Sequence, residues 1–367
     1  MFFDTNIRYA HRQDYQICNE CVMDTSATEI IFDTEGVCSF CAGANFHIGK
    51  TWFPNNQGSE KKNQFYEEIR SKGKDQEHDC LIGLSGGVDS ASVLIEATEK
   101  GLRPLVLHID TGWNTKESVT NVEKLTKKLN LNLHTIVIDW DVMRDLQIAY
   151  LKSGVLNQDV PQDHALFSSI YKFSLSNNVN TILSGVNYSS ESVEPASWGY
   201  TYIDGKQIKH IAKKFGKMKL RNYPIMKIKE YKKMLRVNNF QIYKPLDYGK
   251  YDPQERANEL KEQFGWVSYE HKHNESLFTK FFQSIYLYEK YGIDKRRNHY
   301  SSLIISKNMQ RQIALDKLNS PPLDKDDRNS LIQSVCSKLD ISTAKMQEYL
   351  NGEKIDHYSY PNDSNKI

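Results

Sequence analysis

The chain holds 367 residues, 39% hydrophobic and 26% charged, which is enough for two or three units that each bury a core. Its formal net charge of +2 excludes the strongly basic footprint of a whole-chain nucleic-acid binder. With 21 tyrosines and 15 phenylalanines, long disorder is excluded as well.

The first residues, MFFDTNIRYAHRQDYQ, show no cationic segment followed by an apolar run. No stretch approaches the roughly 18 apolar residues of a spanning helix. A cytoplasmic protein without membrane contact is expected. Within residues 1–50, Cys18-x-x-Cys21 is followed after sixteen residues by Cys38-x-x-Cys41. Each C-x-x-C turn aims two thiolates at one point, and two turns complete a tetrahedron. The spacing reads as a structural zinc site, with disulfides or an iron–sulfur cluster as the other possibilities. Four thiolates leave no open position, so such a metal is not catalytic. Of the other cysteines, Cys80 falls inside a strand and Cys336 shares a helical stripe with Ile332, Val335 and Leu339. Both read as core packing.

Residues 51–78 form a polar connector with a helix near Ser59–Ser71, its serine capping the first turn. Residues 79–225 alternate strand and helix. CLIGLS, RPLVLHID, LHTIVID and VNTILSGVN are apolar strand runs. Between them lie SASVLIEATEKG, then KESVTNVEKLTKKLN with Val119, Val122, Leu125 and Leu129 on one face, and DHALFSSIYKFSLSNN. This alternation predicts an α/β fold: a parallel sheet with helices on both faces, binding ligands at the carboxyl ends of its strands. Residues 226–367 form a mostly helical C-terminal region punctuated by prolines, with Leu277, Phe278, Phe281, Phe282 and Ile285 as a packing stripe. The closing PNDSNKI reads as a frayed tail.

The stretch DCLIGLSGGVDSASVLIEA carries the chemistry. A glycine pair between strand and helix either tightens a turn or lets phosphate approach backbone. Ser85 and Ser90 bracket the pair with hydroxyls, and Asp89 in the first helical turn offers a carboxylate for a divalent cation. No G-K-[ST] follows, which excludes the lysine-bearing loop of kinases and GTPases, and G-x-G-x-x-G is missing too. Ser85-Gly86-Gly87-Val88-Asp89-Ser90 instead resembles the pyrophosphate loop of the ATP pyrophosphatases. That resemblance implies ATP and Mg2+, cleavage between the α- and β-phosphates, and transfer of the adenylyl group to a substrate oxygen. It also implies a nucleotide-facing role for Asp110 in HIDTGW, which otherwise reads as a helix cap, and for Ser184 and Gly185 in LSGVNYSSES.

No glutaminase is visible. Position 2 is Phe2, and neither Cys80 nor Cys336 sits in a glycine-flanked nucleophile turn. The segments ICNECVMDTSATEIIFDTEGVCSFC, GLSGGVDSAS, HIDTGWN, PQDHALF, SWGY, KKFG, PLDYGKYDP, ESLFTKFFQ and DKRRNHYSSLI occur in one order. Together they resemble the N-acetyl sugar amidotransferase family of surface-polysaccharide and flagellar-sugar biosynthesis, which has an adenine nucleotide alpha-hydrolase-like fold. The resemblance implies conversion of a sugar's acetamido group to an acetamidino group. Ammonia is then expected from a separate glutaminase through a synthase-like barrel subunit.

Besides Asp89, the catalytic candidates are Asp163 and His164, which open a helix after Pro161 and are placed to orient the acetamido group or take a proton from ammonia. The alternative is an N-cap beside a buried histidine. Substrate candidates are Asn187, Lys213, Lys214, Arg296, Arg297 and His299, weighed against a solvated face or helix-terminus contacts. Two other functions compete: a tRNA-thiolating enzyme, disfavoured by the absence of a further cysteine pair, and a non-catalytic ATP-binding scaffold.

Overall fold

The structure is a computed structural model that describes residues 15–199, 201–237, 240–269, 272 and 274–363. The readings made of the leader and of Phe2 lie outside the described residues, as do the last four residues of the tail. Pro361–Asp363 are tied down rather than frayed. The Asp363 N–H donates to Asp204 at 2.6 Å, and the Lys206 ammonium donates to the Asn362 carbonyl.

In chain order, α1 (Ser39–His47) and α2 (Asn56–Lys72) precede β1 (Cys80–Gly83) and α3 (Val88–Glu99). Next come β2 (Pro104–Asp110), α4 (Lys116–Lys128), β3 (Leu133–Val137), α5 (Trp140–Ser153), α6 (Val160–Ser176) and β4 (Thr181–Leu183). The short α7 (Tyr188–Glu191), α8 (Gly205–Phe215) and α9 (Ile228–Val237) lead to β5 (Gln241–Tyr243). Helices α10 (Pro253–Phe264), α11 (Leu277–Phe281, running on as a π-helix over Phe282–Tyr291), α12 (Arg296–Ile305), α13 (Arg311–Leu318), α14 (Lys325–Leu339) and α15 (Thr343–Asn351) complete the chain.

The five strands form one parallel sheet in the order β3-β2-β1-β4-β5. Strand residues alternate between two cores, as a period of two requires. Leu81, Leu105, Leu107, Ile109 and Ile182 join a core with α5, α6, α11 and α14. Cys80, Ile82, Val106 and Leu183 pack on the opposite face with α2, α3, α4 and α10. The central strands are therefore apolar on both faces, which is why they read as unbroken hydrophobic runs.

Chain order reverses between β1 and β4. Ligands of such sheets bind at that switch point, outside the carboxyl ends of the strands. The loop Leu84–Gly87 and the loop Ser184–Asn187 both emerge there.

Four local expectations change. The cap of α2 is Asn55, whose side chain accepts from the Gly58 N–H at 3.0 Å, and Ser59 lies a turn inside. Val119 faces outward at 37% exposure, while Val122 and Leu125 are buried. Helix α5 was not foreseen from the sequence, although Val142, Met143, Leu146, Ala149 and Tyr150 give it a buried face. Strand β5 was also missed: it is three residues long, at the sheet edge and half-exposed, so its apolar signal is weak. The stripe Phe278, Phe281, Phe282, Ile285 is buried, as are Cys80 and Cys336.

Candidate active site

The loop after β1 turns on Gly86, whose φ of +89° lies in the left-handed region that side chains avoid. A Cβ there would also meet the Ser118 carbonyl oxygen of α4 at 2.6 Å. Ser85 and Ser90 do not project freely. Their hydroxyls lie 3.2 Å apart, Ser90 Oγ donates to the Gly87 carbonyl at 3.1 Å, and the Gly87 N–H donates to Ser85 Oγ at 3.2 Å. This small ring lies at the N-terminus of α3 without capping it, so the N–H groups of the first turn stay open to an anion. Gly185 completes the crevice from β4, since a Cβ on it would meet Asp89 C and Ser90 N at 3.0 Å. The two loops touch backbone to backbone across the switch point. Asp110 closes β2 by accepting from the Gly112 N–H at 2.8 Å, while the cap of α4 is Thr115.

Asp89 is held from two sides. The Tyr251 hydroxyl donates to Oδ1 at 2.5 Å and the Lys272 ammonium donates to Oδ2 at 2.9 Å. Lys272 also reaches Glu191 at 2.6 Å and Ser190 Oγ at 2.6 Å. Burial alone would lower its pKa, but Asp89 and Glu191 outweigh burial and keep the ammonium charged. Lys272 also lines a cavity of about 200 Å³, together with Glu191, Gln283, Lys295, Asn298 and His299. Gln283 comes from the π-helical stretch, a rare geometry that is frequent at functional sites. Opposite Gly87 stands Glu275: a Cβ on that glycine would meet its Oε1 at 3.0 Å. Tyr251, Lys272, Glu191 and Glu275 were all missed from the sequence. They lie far from the loop in the chain, and no local spacing marks them.

At the N-terminus of α6, His164 is fully committed. Its Nε2 accepts from the Met226 N–H at 2.9 Å, which places the proton on Nδ1, facing the Tyr202 carbonyl. Burial pushes its pKa down to about 4, so the ring stays neutral. The structure thus places His164 in the core, as in the alternative weighed above, but Asp163 is not an N-cap: α6 starts at Val160, and Asp159 holds the N-cap position. Burial, and then the neighbouring Asp159, hold the Asp163 carboxyl well above the usual carboxylate range. Asp159, which the sequence reading passed over, is raised by burial to about 6 and feels the Lys295 ammonium of the cavity. Gln162 links this corner to α11, donating to Thr279 Oγ1 at 2.8 Å and accepting from Ser276 Oγ at 2.9 Å.

The remaining substrate candidates separate. His299 lines the cavity, its Nδ1 3.2 Å from the Ser190 carbonyl oxygen. Arg296 borders the cavity, but it grips Asp294 at 2.6 Å and the Ser320 carbonyl at 2.7 Å. Arg297 turns the other way, to Asp24 at 2.9 Å and the Val22 carbonyl at 2.9 Å. Asn187 caps α7, accepting from the Ser190 N–H at 3.0 Å. Lys213 and Lys214 are exposed at the end of α8.

Cys18, Cys21, Cys38 and Cys41 are buried, with all four sulfurs within 4.8 Å of one another. Separations of 3.8, 3.6 and 3.7 Å, for Cys18–Cys41, Cys21–Cys38 and Cys38–Cys41, are far longer than a disulfide. They match the ~3.8 Å edge of a tetrahedron with ~2.3 Å metal–sulfur bonds. Backbone N–H groups of Cys21 and Cys38 point at Cys18 Sγ, which favours a thiolate there. The donor set fits a tetrahedral divalent ion. Its knuckle is fastened to the helical region: Arg311 donates to the carbonyls of Cys21 and Cys18 at 2.9 and 2.7 Å, and Ser301 Oγ accepts from Val22 N–H at 3.2 Å.

Strand order and loop geometry define a parallel α/β fold of the pyrophosphate-loop type, with the loop at the switch point. Residues 79–153 accordingly match the phosphoadenosine phosphosulfate reductase domain. Residues 275–367 match the C-terminal domain of the WbpG-like LPS biosynthesis proteins, in agreement with the resemblance read from the sequence. No curated protein shows significant similarity. Among solved structures, an NH3-dependent NAD synthetase from Campylobacter jejuni is 19% identical over 73% of this chain and 99% of that one, with a TM-score of 0.35. NMN synthetase from Francisella tularensis is 13% identical over 82% and 98%, also at 0.35. A glutamine-dependent NAD+ synthetase from Acinetobacter baumannii is 14% identical over 83% of this chain and 49% of its own, at 0.32. The fold assignment rests on the strand order itself. Among the described residues no helix is long and apolar enough to cross a membrane.

Proposed function

We propose that the protein is an AMP-forming carbon–nitrogen ligase that converts the acetamido group of an N-acetylated, nucleotide-linked or nonulosonic sugar into an acetamidino group. Its product serves lipopolysaccharide, capsule or flagellar glycan biosynthesis in the cytoplasm. One observation carries this reading: the phosphate loop meets, through Asp89–Lys272–Glu191, a polar cavity whose far wall belongs to the WbpG-like domain.

An amide carbon resists ammonia because its oxygen leaves poorly. In the proposed reaction that oxygen attacks the α-phosphorus of ATP and pyrophosphate departs. Ammonia then adds to the carbon, AMP leaves with the oxygen, and the amidine keeps the nitrogen after loss of a proton. The Ser85, Gly87 and Ser90 ring and the α3 N-terminus hold the leaving pyrophosphate. Lys272 offsets charge between loop and cavity. Magnesium, when bound with the nucleotide, neutralises phosphate charge. Asp89 is the loop carboxylate that would hold it. Zinc is the proposed occupant of the four-cysteine centre, where it crosslinks the knuckle and takes no part in the reaction.

At about 200 Å³ the cavity is smaller than an ordinary ligand cleft of ~300–1,000 Å³, which suits a sugar's acetamido end rather than a whole nucleotide sugar. Ammonia is proposed to come from a separate glutaminase and barrel subunit. Four of the six cysteines are committed to the knuckle, and Cys80 and Cys336 are buried in the cores.

The test is mass spectrometry of acetamido sugars incubated with the protein, ATP, magnesium and an ammonium salt. Replacing O by NH lowers the mass by about one unit, with one AMP formed per sugar. AMP formation that depends on tRNA and on no sugar would replace this reading with tRNA thiolation.

A further inference from the structure

The carbonyl of Gly86 receives an unusual number of donors. Trp266 Nε1 and the Tyr269 hydroxyl each donate to it at 3.1 Å, and Asn121 Nδ2 approaches at 3.4 Å. Asn121 serves chiefly as a brace. Its Oδ1 accepts from the Val267 N–H at 2.8 Å, and its Nδ2 donates to the Val267 carbonyl at 3.0 Å and to the Tyr269 hydroxyl at 3.1 Å. Trp266 and Asn121 are buried, and Trp266 packs edge-on against Tyr269. One donor satisfies a buried carbonyl. Here two side chains of one segment converge on a single oxygen, and a helix side chain holds that segment in place.

A trans peptide is planar, with its C=O and N–H directed oppositely. Pinning the Gly86 carbonyl outward, against α4 and residues 266–269, therefore turns the Gly87 N–H inward. That N–H now donates to Ser85 Oγ, inside the ring at the N-terminus of α3. Glycine at both positions leaves this plane free to rotate unless something outside the loop fixes it. We propose that Trp266, Tyr269 and Asn121 are positioning residues that lock the Gly86–Gly87 peptide plane, so that the Gly87 N–H is presented to the phosphate of the bound nucleotide. This rests on the function proposed above. It adds that nucleotide affinity depends on a segment some 180 residues distant from the loop.

Gly86–Gly87 is the one Gly–Gly pair in the chain. Full-length protein labelled with carbonyl-13C and 15N glycine therefore gives a single HNCO cross-peak, from this peptide alone. Trp266→Phe and Tyr269→Phe remove the donors and keep an aromatic ring at each position. In the ligand-free double variant the Gly86 carbonyl resonance is expected to move upfield as hydrogen bonding is lost. The KM for ATP is expected to rise about tenfold, from two lost bonds, while the KM for the sugar stays put. Asn121→Leu is expected to shift the same cross-peak by freeing the segment. An unmoved cross-peak in the double variant, or a moved one with ATP binding by calorimetry unchanged, would overturn the proposal. Should the wild type bind no ATP, the proposed function fails, and the presentation of Gly87 to phosphate fails with it. The cross-peak in the ligand-free variants still decides whether these side chains lock the plane.

Discussion

The phosphate loop and the cavity beside it are built in opposite ways. Ser85 to Ser90 are consecutive, and most of the cradle lies within them: a left-handed glycine, a hydroxyl ring and a helix N-terminus, braced from outside at the Gly86 carbonyl. The cavity gathers Glu191, Lys272, Gln283, Lys295 and His299 from four separate stretches, and each depends on tertiary packing for its place. A mainly local site fails chiefly by substitutions within it or at the few side chains that brace it. A dispersed site fails when its scaffold loosens. The two regions should thus respond differently to the same perturbation.

The largest expected effect lies in the loop. Asp89→Ala removes the acceptor of Tyr251 and Lys272 and the loop's carboxylate for a cation. AMP formation is expected to fall by about a thousandfold or more, the scale of losing a charge-stabilising group. Metal content should stay near wild type, while the Lys272 ammonium and Tyr251 hydroxyl, left without this partner, lower the melting midpoint without unfolding the protein. Retained turnover in a folded D89A protein would refute the role given to the loop.

The second perturbation acts on the scaffold. Cys38→Ser opens the four-cysteine centre. Elemental analysis is expected to read one zinc per chain in the wild type and none in the variant. Because Arg311, Arg297 and Ser301 grip the knuckle backbone, its release should loosen α12 and α13 and with them the cavity wall that carries His299. Loss of stability is expected at about 4 kcal/mol or more, the exceptional range in which loss of a metal falls. Hydrogen exchange should rise in residues 296–318 before it rises in the loop. Uniform exchange through both regions would erase the distinction between them.

The same contrast explains what could be read from the sequence. The four-cysteine spacing and Ser-Gly-Gly-x-Asp-Ser are short-range patterns whose geometry follows from adjacency, and the apolar runs of β1 and β2 announce a sheet buried on both faces. Arg296, Arg297 and His299 lie within four residues yet end in three settings, because a helix turns 100° per residue and each position meets a different neighbour. Lys272 and Tyr251 reach Asp89 across more than 160 residues, and no periodicity encodes that meeting. Strand β5 and helix α5 were missed for a local reason. One is too short and exposed to show alternation, and the other lies next to a strand whose signal dominates its N-terminal end.

Acid should act through the scaffold rather than the loop. The folded pKa of His164, about 4, lies below the ordinary 6.5, so its contribution is full above 6.5 and is lost as pH falls through 4. His357 behaves alike. Asp159, raised by burial to about 6, and Asp247, raised by burial to about 7, have the opposite sign. They favour the fold below about 3.8 and lose that contribution as pH rises through 6 and 7. His164→Gln isolates one group, since the amide can still donate to Tyr202 and accept from Met226. Between pH 7 and pH 4 the wild type should lose about 3 kcal/mol relative to H164Q in urea unfolding. Parallel pH curves would show that His164 is not held neutral by the core.

The smallest expected effect is the most informative about how the two regions communicate. Lys272 is one ammonium between two carboxylates, one in the loop and one in the cavity. Lys272→Met alone leaves the half-buried Asp89 and Glu191 without their cation, so a loss of activity could reflect that imbalance and nothing more. Pairing it with Glu191→Gln removes one negative charge along with the positive one. If Lys272 merely neutralises Glu191, the double variant recovers wild-type kcat. If the ammonium meets charge that develops on the nucleotide, as its contact with Asp89 indicates, the double variant keeps a deficit of about tenfold to a hundredfold in kcat. The coupling between the two substitutions then measures how much of Lys272 belongs to the cavity, and the residual deficit how much belongs to the loop.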